Sequence, residues 1–247
     1  MFWMQLTDKD IDRYSRNIIL PEIGGKGQYK LLQSKVLIIG MGGLGSPLLM
    51  YLAAAGIGNI TIIDNDNVEL SNLQRQVIHS TNNIGKPKVD SAKSFIEKIN
   101  PEIKITKINS RVDTDNIIEL IAKQDVIADG SDNFKTRFLV ADTCFKLKKT
   151  LISAAITRYE GQISTWKNKK TLPCYRCLFA NEPNDSNINN CSSNGVLGSI
   201  GGVFGSLQAT EVIKEILNIG SSLSGFLTIY DLLNNTFRKI KINKDPN

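Results

Sequence analysis

The chain has 247 residues, enough to bury a sizeable core as one α/β domain or at most two domains. Charged residues make up 22%, and the net charge of +6 is spread along the chain rather than gathered into a stripe that would follow a nucleic-acid backbone. The longest apolar stretch is too short and interrupted to span a bilayer, and the first residues do not have the pattern expected of a signal peptide. The four scattered cysteines do not suggest a secreted-type disulfide framework. We therefore expect a cytoplasmic protein without a membrane or nucleic-acid partner.

Apolar residues at helical spacing follow Thr7, a candidate N-cap, and predict a helical arm over residues 7–31 that is broken near Pro21. Strands and helices then alternate with short connections, which predicts a Rossmann-like, doubly wound, mostly parallel sheet. The predicted strands cover 35–39, 59–64, 103–108, 125–129 and 150–155, and the predicted helices cover 46–55, 88–99, 113–123 and 133–147.

The pattern changes after residue 155. Residues 161–167 and 226–242 alternate apolar and polar side chains, which is typical of antiparallel strands, and residues 201–217 predict one more helix. Residues 182–193 are rich in Asn, Asp and Ser and predict a mobile loop. We expect one domain over 1–247, with a nucleotide-binding core at about 35–156 and a C-terminal part at about 157–242.

A glycine-rich motif follows the first predicted strand. Gly40, Gly42 and Gly45 fit G-x-G-x-x-G between a strand and a helix, and Asp64 ends the next strand, where an acid can bind a ribose. Backbone N–H groups in such a turn can approach phosphates at the helix N-terminus. The motif predicts a bound nucleotide, but an NAD enzyme has the same signature.

The polar run that follows the second strand favours ATP. It places Asp66, Asn72 and Arg75 at the carboxyl edge of the sheet, and Lys88 begins the next helix. Adenosine and a triphosphate together need this mixture of acids and cations. Asp132 follows the fourth strand at the same edge, where its carboxylate could hold Mg²⁺ against phosphate oxygens or cap the next helix.

In combination, these motifs resemble the MoeB/ThiF family of sulfur-carrier-protein adenylyltransferases, which are related to ubiquitin-activating enzymes. The resemblance implies a homodimer that uses ATP and Mg²⁺ to adenylate the Gly-Gly terminus of a small ubiquitin-like sulfur carrier in molybdopterin or thiamine synthesis. A sulfurtransferase would be a further partner. The match covers about residues 8–237 and rests on 40–45, 64–76, Lys88, 131–133, 154–162 and 173–177.

The resemblance also implies roles for individual residues. Arg16 matches the arginine that the family inserts into the neighbouring subunit's site, and Cys191 matches a cysteine implicated in sulfur transfer or a covalent carrier intermediate. The C-terminal part, 157–242, would bind the carrier. The residues implied to bind ATP and its metal are Gly43, Asp64, Asn72, Arg75, Lys88, Asp132 and Asn133.

The residue inventory suits this reaction. The nucleophile is a C-terminal carboxylate, which is ionised at neutral pH because its pKa is roughly 3.3, so no general base is required. The single histidine, His79, is accordingly predicted to be structural. We expect Arg16, Arg75, Lys88 and Mg²⁺ to relieve charge repulsion at the α-phosphate and to stabilise the departing pyrophosphate.

Cys174 and Cys177 form a C-x-x-C pair, which supplies half of a tetrahedral zinc site. The family's second pair is not found after Cys191 in this sequence. The site is lost, is completed by Cys191 or a partner, or belongs to a longer natural chain, and we expect much less than one zinc per chain. Cys144 lies in a predicted helix and is expected to be buried.

Three other functions stay open on the sequence. A NAD- or SAM-using Rossmann enzyme explains the glycines but not Asn72, Arg75 and Lys88 together. A relative that adenylates tRNA would have a concentrated basic tail, for which 238–244 is a weak candidate. A non-catalytic partner subunit would have no need for the intact cations.

Overall fold

A computed structural model describes residues 6–183 and 195–245. The helices are α1 (Asp8–Ile18), α2 (Gly24–Gln33), α3 (Gly45–Ala54), α4 (Lys88–Ile99), α5 (Ile117–Ala122), α6 (Phe134–Lys146) and α7 (Gly198–Leu217). The strands are β1 (Lys35–Ile39), β2 (Asn59–Ile63), β3 (Lys104–Ile108), β4 (Val126–Asp129), β5 (Thr150–Thr157), β6 (Glu160–Trp166), β7 (Phe226–Asp231) and β8 (Thr236–Lys241).

All of these strands form one sheet in the order β3-β2-β1-β4-β5-β6-β7-β8. The pairs from β3 to β5 are parallel, and β6, β7 and β8 add antiparallel strands. This confirms the predicted Rossmann-like sheet and its antiparallel extension. The strand order reverses between β1 and β4, so a crevice opens at the carboxyl ends of these two strands.

Apolar side chains cover both faces of the sheet, as a parallel sheet requires. In β1, Ile38 packs into the cluster with α3, α4 and α7, whereas Leu37 packs into the cluster with α5 and α6. Cys144 lies in the second cluster, fully buried, and this burial raises the pKa of its thiol. The prediction of a buried Cys144 is therefore confirmed.

One predicted helix is shorter than the sequence pattern indicated. The helix expected over 113–123 covers Ile117–Ala122. Asp113 and Asn116 instead form a polar turn, in which the Asn116 N–H donates to Asp113 Oδ1 at 3.1 Å and Asn116 Oδ1 accepts from the Asp113 N–H at 3.1 Å. Such local side-chain bonds compete with helix formation.

The N-terminal arm is fixed against the end of α4. Thr7 and Asp10 form a capping box at the start of α1, and the buried Tyr14 accepts a hydrogen bond from Asn100 Nδ2 at 2.8 Å. Arg16 lies on the exposed side of the same helix. None of the helices in the described ranges is long and apolar enough to cross a membrane.

Candidate active site

The glycine loop after β1 has the tight geometry that its sequence requires. Gly40 has a φ of +88°, a conformation that L side chains rarely adopt. A Cβ on Gly45 would lie 1.9 Å from the Gly40 carbonyl oxygen, so only glycine fits there. The loop is held to the end of β2 because Asp64 Oδ2 accepts a hydrogen bond from the Met41 N–H at 2.7 Å.

An open cavity of about 570 Å³ lies at the carboxyl ends of β1, β2 and β4. Its volume falls within the range of small-molecule sites. Two of the predicted catalytic and nucleotide-binding residues are described but are not part of the lining. Gly45 packs against the Gly40 carbonyl, and Arg16 does not line the cavity of its own chain. A third, Cys191, lies outside the described residues. The predicted site residues that line the cavity are Gly40, Gly42, Gly43, Asp64, Asp66, Asn72, Arg75, Lys88, Asp132 and Asn133.

Two of the predicted cations, Lys88 and Arg75, line the cavity. The Lys88 side chain is 8% exposed, and its Nζ lies 2.8 Å from Oδ2 of the more exposed Asp66. Arg75 packs its aliphatic stem against Gly43 and donates from Nη1 to the Ser71 carbonyl at 3.0 Å. Positive charge therefore lies beside the backbone that would receive phosphates.

Asp64 links the glycine loop to the polar run that follows β2. Its two carboxylate oxygens accept from the Met41 N–H at 2.7 Å and from the Asp66 N–H at 2.8 Å. Burial raises the pKa of Asp64, and the nearby Lys88 opposes this shift. Each oxygen keeps an acceptor site, so the carboxylate can also take ribose hydroxyls.

Asp132 lies on an exposed turn between β4 and α6. It forms neither a hydrogen bond nor an ion pair with any other described residue. The N-cap of α6 is Asn133, whose Oδ1 accepts from the Thr136 N–H at 2.9 Å. The interpretation of Asp132 as the helix cap is therefore wrong, because Asn133 is the residue that accepts from the Thr136 N–H, and the Asp132 carboxylate has no partner within the described ranges.

Two arginines that the sequence motifs did not single out also line the cavity. Arg111 follows the end of β3, and Arg137 lies in the first turn of α6 with 9% exposure. Their positions in the sequence could have predicted this, because each follows a strand whose carboxyl end lies at the edge of the sheet where the cavity opens. Arg137 also lies four positions after Asn133, one helical turn along the chain.

The far wall of the cavity comes from the end of β5 and the start of the chain before α7. Gly195 and Val196 line the cavity together with Ile156. The Arg158 N–H donates to the Gly195 carbonyl at 2.9 Å, and the Leu197 N–H donates to the Arg158 carbonyl at 3.0 Å. Gly195 is the first described residue after Cys191.

His79 and the C-x-x-C pair lie outside the cavity lining. His79 is buried, with Nδ1 2.8 Å from Ser91 Oγ and Nε2 3.1 Å from the Met41 carbonyl oxygen, and burial lowers its pKa. It bridges the glycine loop and α4, a structural contact of the kind predicted. The Sγ atoms of Cys174 and Cys177 lie 3.3 Å apart, and no third Cys, His, Asp or Glu among the described residues joins them in a metal-binding group.

A family model described as the ThiF family matches residues 14–247. The chain belongs to the ThiF family. It is 44% identical over 238 residues to adenylyltransferase and sulfurtransferase MOCS3 of Culex quinquefasciatus, an alignment of 96% of this chain and 54% of that protein. It is 42% identical over 243 residues to SAMP-activating enzyme E1 of Haloferax volcanii, covering 98% of this chain and 89% of that protein.

A third relative has a similar length. The sulfur carrier protein adenylyltransferase of Thermus thermophilus is 40% identical over 248 residues, covering 98% of this chain and 91% of that protein. The chain thus spans about half the length of MOCS3 and about nine-tenths of the other two relatives.

Solved structures share the fold. E. coli MccB with AMPCPP and MccA superposes with a TM-score of 0.82 at 26% identity, covering 95% of this chain and 72% of that one. PaaA superposes with a TM-score of 0.83 at 24% identity, covering 99% and 77% of the two chains, and supports the fold alone.

Proposed function

We propose that this chain is an ATP-dependent adenylyltransferase that activates the C-terminal glycine carboxylate of a small ubiquitin-like sulfur carrier. The observation that carries the proposal is the cavity itself, whose lining combines the glycine loop with Arg75, Lys88 and Asp132. Among the described residues, Asp132 has no partner. The names of the relatives from Haloferax volcanii and Thermus thermophilus support a carrier protein as the substrate.

In this proposal the nucleotide lies across the glycine loop. The loop N–H groups and the start of α3 receive phosphate oxygens, Asp64 accepts from the ribose, and Asn72 contributes its amide. Arg75 and Lys88 neutralise the phosphate chain. Asp66 holds the Lys88 ammonium at the cavity wall through their 2.8 Å ion pair, so this cation is in place before the nucleotide binds.

The site also fits Mg²⁺. Mg²⁺ prefers one or two carboxylates and completes its coordination with water and substrate phosphates. Asp132 supplies a carboxylate on the cavity wall that no other described residue binds. The described part of the chain contains no group of three or more acidic, His or Cys residues that would form a closed metal cage. When bound there, the metal would neutralise charge on the phosphates.

The reaction needs electrostatic help more than proton transfer. A carboxylate oxygen of the carrier forms a bond to the α-phosphorus while the bond from that phosphorus to the bridging oxygen of pyrophosphate breaks. The attacking carboxylate is already ionised, so no base removes a proton. Arg75 and Lys88 reduce the repulsion between the two anions and stabilise charge on the leaving pyrophosphate.

We further propose a homodimer in which Arg16 of each subunit enters the site of its partner. Arg16 lies outside the cavity of its own chain, on the exposed side of α1. Exposed apolar side chains near α1 suit a subunit interface: Ile19, directly after the helix, is 67% exposed, and Tyr51, which lines a small pocket with Asn17 of α1, is 56% exposed. A sulfurtransferase partner, the role of Cys191 and a cytoplasmic location stay predictions.

The proposal is tested by trapping the adenylated carrier. Purified protein is incubated with ATP, Mg²⁺ and a candidate carrier from the molybdopterin or thiamine pathway. The mass of the carrier is then measured by mass spectrometry. We expect an added AMP on the intact carrier and none on a control carrier that lacks the final glycine. Labelling of tRNA instead of any carrier would favour the competing tRNA-adenylating function.

A further inference from the structure

Arg137 has an unusual environment for an arginine. Its residue is 9% exposed, and its side chain lines the nucleotide cavity. Buried guanidinium groups normally pair with a carboxylate, because an unpaired buried charge is unfavourable. Among the described residues, however, Arg137 forms no ion pair, and its hydrogen bond goes from Nη2 to the Ser131 carbonyl oxygen.

The contact lies on the turn that carries Asp132. The Ser131 N–H donates to Asp129 Oδ1 at 2.9 Å, and the Ser131 carbonyl accepts from Arg137. Asn133, on the other side of Asp132, is held by its capping bond to the Thr136 N–H at 2.9 Å. The residues on both sides of Asp132 are therefore fixed, while the Asp132 carboxylate has no partner within the described chain.

We propose that Arg137 is a positioning residue: it holds the Ser131 carbonyl so that the turn presents Asp132 to the metal of bound ATP. The inference rests on the proposed nucleotide site but not on the identity of the carrier. Partners that orient a metal ligand typically change metal affinity by about 10- to 100-fold when they are removed. A role in direct phosphate binding is the competing explanation, since the same guanidinium lines the cavity.

The two explanations differ in their dependence on Mg²⁺. ATP affinity is measured by calorimetry with Mg²⁺ and with a chelator, for the wild type, Asp132→Ala, Arg137→Met and the double variant. In Arg137→Met, we expect the factor by which Mg²⁺ strengthens ATP binding to be about 10- to 100-fold smaller than in the wild type. The affinity for metal-free ATP should equal that of the wild type. The double variant should be no weaker than Asp132→Ala, because both changes act on one ligand.

Arg137→Lys retains a donor for the Ser131 carbonyl, so it should keep part of the Mg²⁺-dependent affinity even if Arg137→Met does not fold. Arg176→Met is the matched control, because Arg176 pairs with Asp142 outside the cavity lining, and its ATP affinity should be unchanged. Circular dichroism checks that each variant is folded.

Three results would overturn the proposal. An equal loss with and without Mg²⁺, adding to the loss of Asp132→Ala, would mean that Arg137 binds phosphate directly. Unchanged affinity in a folded Arg137→Met protein would remove the residue from the site. A wild-type protein whose ATP affinity ignores Mg²⁺ would remove the metal site, whereas failure to adenylate any carrier would contradict the proposed function alone.

Discussion

The substitution Gly201→Ala in α7 should create a steric clash with the glycine loop. A Cβ on Gly201 would lie 2.6 Å from the Gly43 carbonyl oxygen, which belongs to the backbone and cannot rotate away as a flexible side chain does. Gly202, the next residue of the same helix, has no atom within 4 Å of such a Cβ. The two positions therefore form a matched pair in which one methyl group clashes and the other does not.

The expected free energies separate the two variants. Replacing a helical glycine with alanine favours the helix by about 0.8–1.0 kcal/mol, and this gain applies to both positions. Inserting a methyl group into a tightly packed contact costs about 1–3 kcal/mol, and this cost applies only to Gly201→Ala. We expect the free energy of unfolding of Gly201→Ala to be lower than that of Gly202→Ala by about 1–3 kcal/mol.

The clash also displaces part of the ligand site, because Gly43 lines the cavity. A displacement that costs about 1.4 kcal/mol in the bound state would raise the Kd for ATP about tenfold. Urea unfolding measures the first effect, and ATP titration of the folded proteins measures the second. If Gly201→Ala and Gly202→Ala had the same free energy of unfolding and the same Kd for ATP, the close packing of α7 against the glycine loop would be refuted.

The other predictions concern the cations, the subunits, the histidine and the cysteines. Arg75→Ala or Lys88→Ala should leave the fold intact and cost about 2.7–4 kcal/mol in pyrophosphate exchange, as loss of one transition-state donor does; near-normal exchange in either variant would exclude that residue. Mixing Arg16→Ala protein with Asp132→Ala protein should restore activity in mixed dimers, and no recovery after demonstrated subunit exchange would refute a shared site. Burial lowers the pKa of His79 below its ordinary 6.5, so the unfolded chain takes up the proton first as the pH falls. Unfolding experiments at pH 7.5 and 5.5 should therefore find lower stability at pH 5.5, and His79→Gln should reduce that difference. Metal analysis of the 247-residue chain after dialysis should find much less than one zinc per chain, and stoichiometric zinc would mean that further ligands close the site at Cys174 and Cys177.

The core of the fold followed from local patterns. The run 35–39 is apolar at every position after Lys35, as expected for a strand covered on both faces, and the structure buries those four residues. The glycine motif could be located because φ and close backbone contacts restrict Gly40 and Gly45 to glycine. Signals of this kind depend on neighbouring residues and are readable from one sequence.

The remainder of the site depends on contacts between distant segments. The sequence around Arg137 does not distinguish it from an exposed helical arginine. Its role depends on the packing of α6 against the turn that follows β4. Gly201 and Gly43 are far apart in the chain, and their contact follows from the packing of α7 on the loop. The choice of Asn133 over Asp132 as the helix cap also required the geometry, because both residue types are good caps.

Exchange of labelled pyrophosphate into ATP tests the adenylyltransferase assignment most directly. The protein is assayed with Mg²⁺, alone and with carriers of the molybdopterin and thiamine types, each with and without its final Gly-Gly. We expect exchange that requires one intact carrier and is lost when that carrier is truncated, because the site recognises the Gly-Gly terminus whose carboxylate is the nucleophile. Exchange stimulated by tRNA, or no exchange with any carrier, would contradict carrier adenylation by this chain.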